Sequence, residues 1–246
     1  GPTADQSSLS TAEGVTSLVM VRPEADVALA GELLARTEAY LHDQGAQVLY
    51  GGGLWPLAPF YYGLVGGCEP AGVLASDPQE QALFEAHGYE PLERSVILER
   101  ELGQFRPVID RQQMQIRRHT AVTTVVDPPP ETWWEACQFE PFERAKVVLT
   151  SRDGGTVLAS AIYWNMETMA AAWGVRAIGI VNLRVGEQRK RQGHASYLLG
   201  ETLRQFHQQG IALAEARVDL ANQPALALFA KLGFTEVDRA TRYRKA

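Results

Sequence analysis

Cysteine is scarce in this 246-residue sequence, and long apolar runs are missing. The two cysteines, Cys68 and Cys137, form neither a disulfide framework nor a Cys-x-x-Cys pair, which favours a cytoplasmic protein. No apolar run reaches the roughly 18 residues of a membrane-spanning helix, and the first residues lack the basic start and apolar centre of a signal peptide. The five histidines have no metal-ligand spacing, so we expect no metal site.

Basic residues are also fewer than acidic residues in this sequence. The chain has 23 Lys and Arg residues against 29 Asp and Glu, a net charge of −6. This balance opposes nucleic-acid binding, because phosphate contacts need a basic surface. Two phosphate-binding motifs, Gly-x-x-x-x-Gly-Lys-Ser/Thr and Gly-x-Gly-x-x-Gly, are absent as well. The remaining composition, 46% apolar and 21% charged, is that of a globular protein and excludes collagen-like or largely disordered chains.

Apolar periodicity and capping residues predict strands and helices in two parts. Residues 1–16 are polar and predicted to be disordered, and Gly1-Pro2 resembles the remnant of a cleaved tag. Residues 101–118 are polar and predicted to be a linker. The first part, residues 17–100, is predicted to hold elements at 17–21, 26–44, 46–50, 78–87 and 89–100. The second part, residues 119–246, is predicted to hold elements at 119–126, 131–139, 145–150, 156–164, 177–185, 194–208, 211–219, 223–232 and 234–244.

An internal repeat links the two parts. The order strand, helix, strand, helix, Gly-aromatic pair and strand occurs over residues 17–100 and again over residues 177–244. Gly88-Tyr89 in the first copy corresponds to Gly233-Phe234 in the second. The repeat predicts two related folding units in one chain.

A basic loop between a strand and a helix carries the most specific chemistry. The strand ends near Val185, a run of basic residues follows, and Gly193 precedes the helix. The first turn of a helix has free N–H groups and a partial positive charge. A glycine lets a phosphate approach the backbone closely, and Ala195 is small enough to leave room. We predict a phosphate cradle; the alternative is a solvated basic turn that only caps the helix.

Three features resemble the GNAT superfamily of acetyl-CoA-dependent N-acyltransferases. Lys190-x-x-Gly193-x-Ala195 resembles the family's Arg/Gln-x-x-Gly-x-Gly/Ala signature, Asn222 precedes a helix as in that family, and the ending Gly233-Phe234 is similar too. The resemblance covers residues 115–246 and, more loosely, residues 17–100. It implies an α/β (α+β) fold with a mixed, centrally splayed β-sheet flanked by helices, in two repeats.

The same resemblance implies a cofactor site for acetyl-CoA and direct attack of an amine on its thioester. Backbone amides of Leu183 and Val185 would pair with the pantetheine arm, and Asn222 would contact the cofactor near the splayed strands. Phe229 is also predicted to be a cofactor-binding residue. It occupies the position where many members of the family have a tyrosine that protonates the leaving thiolate. We favour the interpretation that Phe229 is an aromatic residue of the core. The loop would hold the pyrophosphate through Lys190, Arg191, Gln192, Gly193, His194, Ala195 and Ser196.

The first copy departs from the signature. Its glycine position holds Leu29 and its leading basic position holds Asp26. A bulky side chain and a carboxylate both oppose anion binding, so we expect residues 17–100 not to bind acetyl-CoA there, and instead to cover a sheet edge or shape the acceptor site. The long aromatic loop that begins at Trp55 is either a lid over the second site or a plug between the two parts.

Two carboxylates are candidates for the general base, Glu167 after a hairpin strand and Asp219 at a strand end; for each, the alternative is a solvated carboxylate. The main hypothesis is an acetyl-CoA-dependent N-acetyltransferase that acts on a primary amine of a small molecule or peptide. The alternatives are a non-catalytic acyl-CoA-binding or protein-interaction module, and a structural tandem domain without a ligand. No motif specifies the acceptor, the acyl chain length or the oligomeric state.

Overall fold

The computed structural model describes the chain apart from residues 4, 23, 25–26, 54, 58–66, 108 and 140–142. Asp26 and most of the aromatic segment after Trp55 therefore lie outside the described residues. The described residues form seven α-helices: α1 (Val27–Asp43), α2 (Pro78–Ala86), α3 (Arg111–His119), α4 (Trp133–Phe139), α5 (Glu167–Trp173), α6 (His194–Gln208) and α7 (Gln223–Lys231). They also form ten β-strands: β1 (Glu13–Thr16), β2 (Val48–Gly51), β3 (Val73–Leu74), β4 (Glu90–Glu101), β5 (Thr120–Val126), β6 (Arg144–Ser151), β7 (Val157–Asn165), β8 (Ala177–Val185), β9 (Leu213–Asp219) and β10 (Thr235–Lys245).

All ten strands belong to one mixed sheet. Its order is β1-β2-β10-β4-β9-β8-β7-β6-β5, with β3 paired to β10 beside this path. The pairs β1–β2 and β8–β9 are parallel, and the other neighbours are antiparallel. The mixed sheet flanked by helices confirms the predicted fold class.

The last strands of the two parts are exchanged within this sheet. Strand β10 lies between β2 and β4, and β4 lies between β10 and β9. The two pair with each other along most of their length, from Thr235 opposite Glu99 to Arg244 opposite Glu90. Neither part therefore completes its share of the sheet without a strand from the other.

The largest cluster of buried apolar side chains, here called the main core, lies between helix α6 and one face of the sheet, and it includes residues of β4, β6, β7, β8 and β9. Gly193, in the left-handed conformation, precedes the first turn of α6. Leu198, Leu199 and Leu203 recur at helical spacing and are fully buried against the apolar side chains of the central strands. This packing holds the first turn of α6 in place next to the loop that follows β8.

The internal repeat appears as the same local geometry in both parts. Helix α2 follows β3 and helix α7 follows β9, and each helix ends shortly before a glycine and an aromatic residue. The rings of Phe84 and Tyr89 lie 5.0 Å apart at an interplanar angle of 77°. Those of Phe229 and Phe234 have the same separation and the same angle. Matching edge-to-face pairs thus lock each helix onto its strand.

The first strand lies earlier than the sequence predicts. Strand β1 begins at Glu13, so the disorder predicted for residues 1–16 and the strand predicted for residues 17–21 are wrong. Its four residues, Glu-Gly-Val-Thr, hold a single apolar side chain larger than glycine. Its backbone nevertheless pairs in parallel with β2, and Gly14 lies against Leu41 of α1. Pairing and packing in the folded chain outweigh the weak local pattern.

Helix α3 occupies much of the segment predicted to be a linker. The Asp110 carboxylate caps it by accepting a hydrogen bond from the Gln113 amide at 2.7 Å. Ile116 packs into the main core while most of the helix is polar, which is why apolar periodicity missed it. Helix α5 was not predicted either; it ends at Gly174 in a left-handed conformation.

We expect the two parts to unfold together. Phe84→Ala removes a fully buried ring of the first part that stacks near Tyr243 of β10, and a loss of about 3–5 kcal/mol is typical of such a cavity. Because β4 and β10 are exchanged, guanidinium unfolding followed by tryptophan fluorescence and by far-ultraviolet circular dichroism should shift as one transition. Two separated transitions, with only the first shifted, would show that the parts are independent.

Candidate functional site

A slot opens in the middle of the sheet where β8 and β9 separate. Their parallel pairing runs only from Ala177–Leu213 to Ile180–Ala216. Beyond it, β8 continues along β7 and β9 continues along β4, as far as Val185 and Asp219. Between the diverging ends, the facing backbone edges of the two strands are not paired with each other. This is the splay that the family resemblance implied.

A β-bulge in β8 lies at the edge of the slot. Asn182 has a φ angle of +54°, and the pairing with β7 shifts between Ser160–Arg184 and Ile162–Val181. Two residues of β8 thus lie opposite one residue of β7, which bends the strand locally. The side chains of Leu183 and Val185, which follow, pack against the main core, so their backbone lies along the slot.

The loop after β8 presents a row of unbonded backbone amides. A short 3-10 turn, Glu187–Arg189, leads to Arg191 and Gly193, which both have positive φ angles, +61° and +81°. Among the residues that the structure describes, no amide from 191 to 196 donates a hydrogen bond. Gly193 precedes α6 without a side-chain cap. An anion would satisfy these donors at the positive end of the helix.

The side chains around these amides are polar and mostly basic. Arg189, Lys190 and Arg191 are exposed, and Lys190 forms an ion pair with Glu187 at 2.5 Å. Ser196 is buried, and its hydroxyl has no hydrogen-bond partner within the described chain. The loop predicted from the sequence therefore combines free donors, positive charge and one orphaned hydroxyl.

Helix α3 contacts this loop through two glutamine side chains, and the sequence analysis did not predict these contacts. The Gln112 side chain donates to the backbone oxygen of Gln192 at 3.1 Å. Gln113 is buried, and its Nε2 lies 3.2 Å from where a Cβ on Gly193 would be. The signal was the Asp110-x-x-Gln113 capping pattern, which lies in the segment predicted to be a linker.

Asn222 and Phe229 serve local structure. The Asn222 oxygen caps α7 by accepting from the Ala225 amide at 3.2 Å. Phe229 is buried and belongs to the main core. Its ring lies against Phe234 rather than in the open part of the slot.

A cavity of about 300 Å³ adjoins the bulge on the other face of the sheet. Both parts of the chain line it, since Trp55 and Glu69 come from the first part, and Ile162, Val181 and Asn182 from the second. The remaining lining residues are Gln6, Glu131, Thr132, Glu135, Arg144 and Arg184.

Two carboxylates of this cavity are neutralised by basic neighbours. Glu131 pairs with Lys146 and with Arg184, each at 3.2 Å. The hydrogen bond from Lys146 lowers the pKa of Glu131, and the charge of Arg184 adds to the effect. Glu135 pairs with the buried Arg144 at 2.6 Å. These carboxylates are therefore occupied by structural ion pairs.

Two further carboxyl groups belong to this region: Glu69 is half-buried and lines the cavity, and Glu215 is buried against Gly67 and Cys68. Glu215 of β9 is only 2% exposed, and this burial raises its pKa to about 7. Burial also raises the pKa of Glu69, against the opposing charge of Arg217. Buried carboxyls with raised pKa values beside a cleft are typical of functional sites.

The two carboxylates predicted as candidate bases lie elsewhere. Glu167 is exposed at the start of α5, 3.4 Å from the side-chain nitrogen of Asn165. Asp219 ends β9, where its carboxylate accepts a hydrogen bond from the Ala221 amide at 2.8 Å. Neither lines the cavity beside the bulge.

The corresponding slot of the first part is already occupied by the protein itself. With Val21 aligned on Val185, Val19 takes the place of Leu183. Its amide donates to the carboxylate of Glu80 at 2.8 Å. Glu80 is 6% exposed, and burial raises its pKa to about 7. An internal carboxylate thus binds a backbone donor of the first part at the position that corresponds to Leu183.

Comparisons with known proteins agree with this geometry. Residues 113–234 match the acetyltransferase (GNAT) family. The chain is similar in structure to a tandem GNAT protein from the clavulanic acid biosynthesis pathway, with a TM-score of 0.62 and 14% identity over 91% of this chain and 71% of that one. A GCN5-related N-acetyltransferase from Sphaerobacter thermophilus gives a TM-score of 0.60 and 17% identity over 89% and 68%.

A third similar structure is the glucosamine N-acetyltransferase region of a fungal multi-domain GH3 β-N-acetylglucosaminidase. Its TM-score is 0.67 at 16% identity, with 94% of this chain and 29% of that one covered. At such identities the three likenesses show the fold alone. No curated protein matches the sequence significantly.

Glu80 makes stability depend on pH. A carboxyl whose pKa is higher in the folded than in the unfolded chain stabilises the fold at low pH, and this contribution is lost as the pH rises through the folded value, here about 7. Glu80→Gln stays neutral and can still accept from Val19. We expect it to be more stable than the wild type at pH 8, by on the order of 2 kcal/mol, and equal to it at pH 5.

Urea unfolding at the two pH values measures this difference. Glu32→Gln is the control, since that carboxylate is exposed on α1 beside Arg36. If Glu80→Gln and the wild type have the same pH dependence, Glu80 is ionised in the folded chain at both values.

Proposed function

Residues 113–234 of this chain belong to the acetyltransferase (GNAT) family, and on that premise we propose that the protein is an acetyl-CoA-dependent N-acetyltransferase. Its acceptor is a primary amine of a small molecule or peptide. The observation that carries the proposal is the slot between β8 and β9, which leads directly into a loop of unbonded amides.

Acetyl-CoA suits the residues around the slot. The amides of residues 191–196 would hold its pyrophosphate, with the charges of Lys190 and Arg191 beside them. The orphaned Ser196 hydroxyl gives a further polar contact. The free edge of β8 at Leu183 and Val185 would receive the amide groups of the pantetheine arm like an added strand.

The remaining predicted residues have narrower roles. His194 and Ala195 form the first turn of α6, Gln192 is held by Gln112, and Gly193 keeps the helix start open. Asn222 uses its oxygen as a cap, which leaves its side-chain N–H groups for the cofactor. Bound acetyl-CoA would supply an activated acetyl thioester.

The acceptor amine would lie in the cavity beside the bulge. There it is close to the edge of β8, while the ion pairs of Glu131 and Glu135 fix the opposite wall. Trp55 and Ile162 provide an apolar side that excludes water. The net charge of −6 favours a cationic partner such as an alkylammonium.

Phe229 bears on the departure of the leaving group. It has no hydroxyl and is buried, so it cannot protonate a thiolate. A thiolate is a good leaving group because its conjugate acid has a pKa near ~8.5, and transfer can proceed without this acid. The same residue favours a second candidate function, a non-catalytic acyl-CoA-binding module.

Hydrolysis without an acceptor separates the two functions. An acetyltransferase with an open acceptor cavity should hydrolyse acetyl-CoA slowly, since water can enter where the amine would lie. A binding module should retain the thioester intact over hours at the spontaneous rate.

Calorimetric titration of acetyl-CoA tests the cofactor site. We expect the wild type to bind one equivalent and Gly193→Leu to lose at least tenfold in affinity. A side chain there is strained at a φ of +81° and meets Gln112 and Gln113 within about 3.3 Å. It also obstructs the approach of a phosphate to the amides.

Gly210→Leu is the matched control. It places the same side chain at a left-handed position, φ +86°, at the other end of α6. We expect it to bind acetyl-CoA like the wild type. If the wild type does not bind, or if Gly193→Leu binds as well as Gly210→Leu, the loop is not the cofactor site.

A further inference from the structure

We propose that Glu69, contributed by the first part of the chain, accepts the proton of the acceptor in the site of the second part, and that Glu215 positions the segment that carries it. The inference rests on the proposed function. It assigns a role to residues 67–69, which lie outside the family match at residues 113–234.

Cys68 fastens this segment to the second part through its backbone. Its amide donates to the Glu215 carboxylate of β9. Its carbonyl oxygen accepts a hydrogen bond from the Trp164 indole of β7 at 2.9 Å. Cys68 itself is completely buried. The segment is therefore fixed at two backbone groups beside the place where β8 and β9 begin to diverge.

Two glycines allow the close approach. A Cβ on Gly67 would lie 1.8 Å from a Glu215 oxygen, so no other residue fits there without displacing the carboxylate. A Cβ on Gly179 of β8 would lie 2.5 Å from the Cβ of Cys68 and 2.4 Å from the Trp164 nitrogen. Residues 67 and 68 thus pack closely against β8 and against the side chains of Glu215 and Trp164.

Glu69 then lines the cavity together with Val181 and Asn182, at the edge of the slot. Within the described part of the chain, no hydrogen bond or ion pair engages its carboxyl group, whereas Glu131 and Glu135 are held by Lys and Arg. Of the described carboxylates that line this cavity, Glu69 is therefore the one that can exchange a proton without breaking an ion pair.

The proposed reaction moves one proton from the acceptor to Glu69. An acceptor ammonium gives one proton to the Glu69 carboxylate, which leaves a neutral amine and a carboxylic acid. When water is the acceptor, one of its protons goes to Glu69 as its oxygen bonds to the acetyl carbon. The carbon–sulfur bond breaks with its electron pair on sulfur, giving acetic acid and the thiolate, and the acetic acid releases its remaining proton to water.

Burial and charged neighbours together set the titration of Glu69. Burial raises its pKa, and the charge of Arg217 limits the rise. The charged or titratable groups around it are Cys68, Glu99, Glu131, Glu135, Arg144, Arg184, Glu215 and Arg217. A base must be ionised to accept a proton, so the reaction rate should rise with pH through the pKa of Glu69.

Acetyl-CoA hydrolysis tests the assignment without knowledge of the amine. Thiol release by the full chain is measured from pH 5.5 to 8.5 at saturating acetyl-CoA. We expect Glu69→Gln to bind acetyl-CoA as tightly as the wild type, to lose about 100-fold in rate at pH 8, and to lose the rise with pH. The control Glu236→Gln, an exposed partner of Arg239 on β10, should leave rate and profile unchanged.

Two variants of Glu215 test the positioning role. Glu215→Gln keeps an oxygen that can accept from the Cys68 amide and should retain most of the rate. Glu215→Ala removes that acceptor and should lose rate with an unchanged affinity for acetyl-CoA. Rescue by the amide separates positioning from direct proton transfer, because glutamine is not a base.

Several results would overturn the proposal. One is a Glu69→Gln variant with the wild-type rate and pH profile. Another is loss of the pH rise in Asp219→Asn or Glu167→Gln instead. A wild type that binds acetyl-CoA without hydrolysing it above the spontaneous rate also contradicts the base, while the cofactor site stands. A wild type that binds no acetyl-CoA removes both this inference and the proposed function.

Discussion

The parallel pairing between β8 and β9 stops after four residue pairs, and the candidate site depends on that early stop. Two features enforce it. The bulge at Asn182 bends β8 along β7, and the continued pairing of β9 with β4 draws its end the other way. A sheet normally satisfies its backbone groups along every inner edge. Here the unpaired edges face each other across a gap that a peptide-like arm can fill, and the helix start that follows β8 supplies donors for its charged end.

The two parts of the chain differ in whether their backbone amides near the end of the strand have a hydrogen-bond partner. In the second part the amides after the strand remain free, and Ser196 is buried without a partner. In the first part the amide of Val19 is bound by Glu80. The ring pairs Phe84–Tyr89 and Phe229–Phe234 keep one geometry in both. One scaffold thus yields a site that is open to a ligand and a site that is filled from within.

Local patterns predicted most of the second part. The bounds of β8 and α6 follow from an apolar strand and from Gly193 and the leucines of α6. The loop residues were predicted from the physics of a helix start, and their binding roles remain predictions. Helix α3 was missed because it buries few apolar side chains, and β1 because its pairing partner, β2, is about 35 residues away. Glu69 and Glu215 could not be found from the sequence, since only the folded chain brings Cys68, the neighbour of Glu69, into contact with Glu215, 147 positions away.

The exchange of β4 and β10 also limits how this protein can be divided. A chain cut between the parts would leave β2, β4 and β9 with long unpaired backbone edges, and β4 carries the buried apolar run Val96, Ile97 and Leu98. Exposed edges of this kind recruit strands from other molecules and lead to aggregation. If either part were fused to another protein without its partner, the fusion would have the same exposed strand edges and the same tendency to aggregate. Through β4, the first part thus covers the sheet edges of β9 and β10 in the second part.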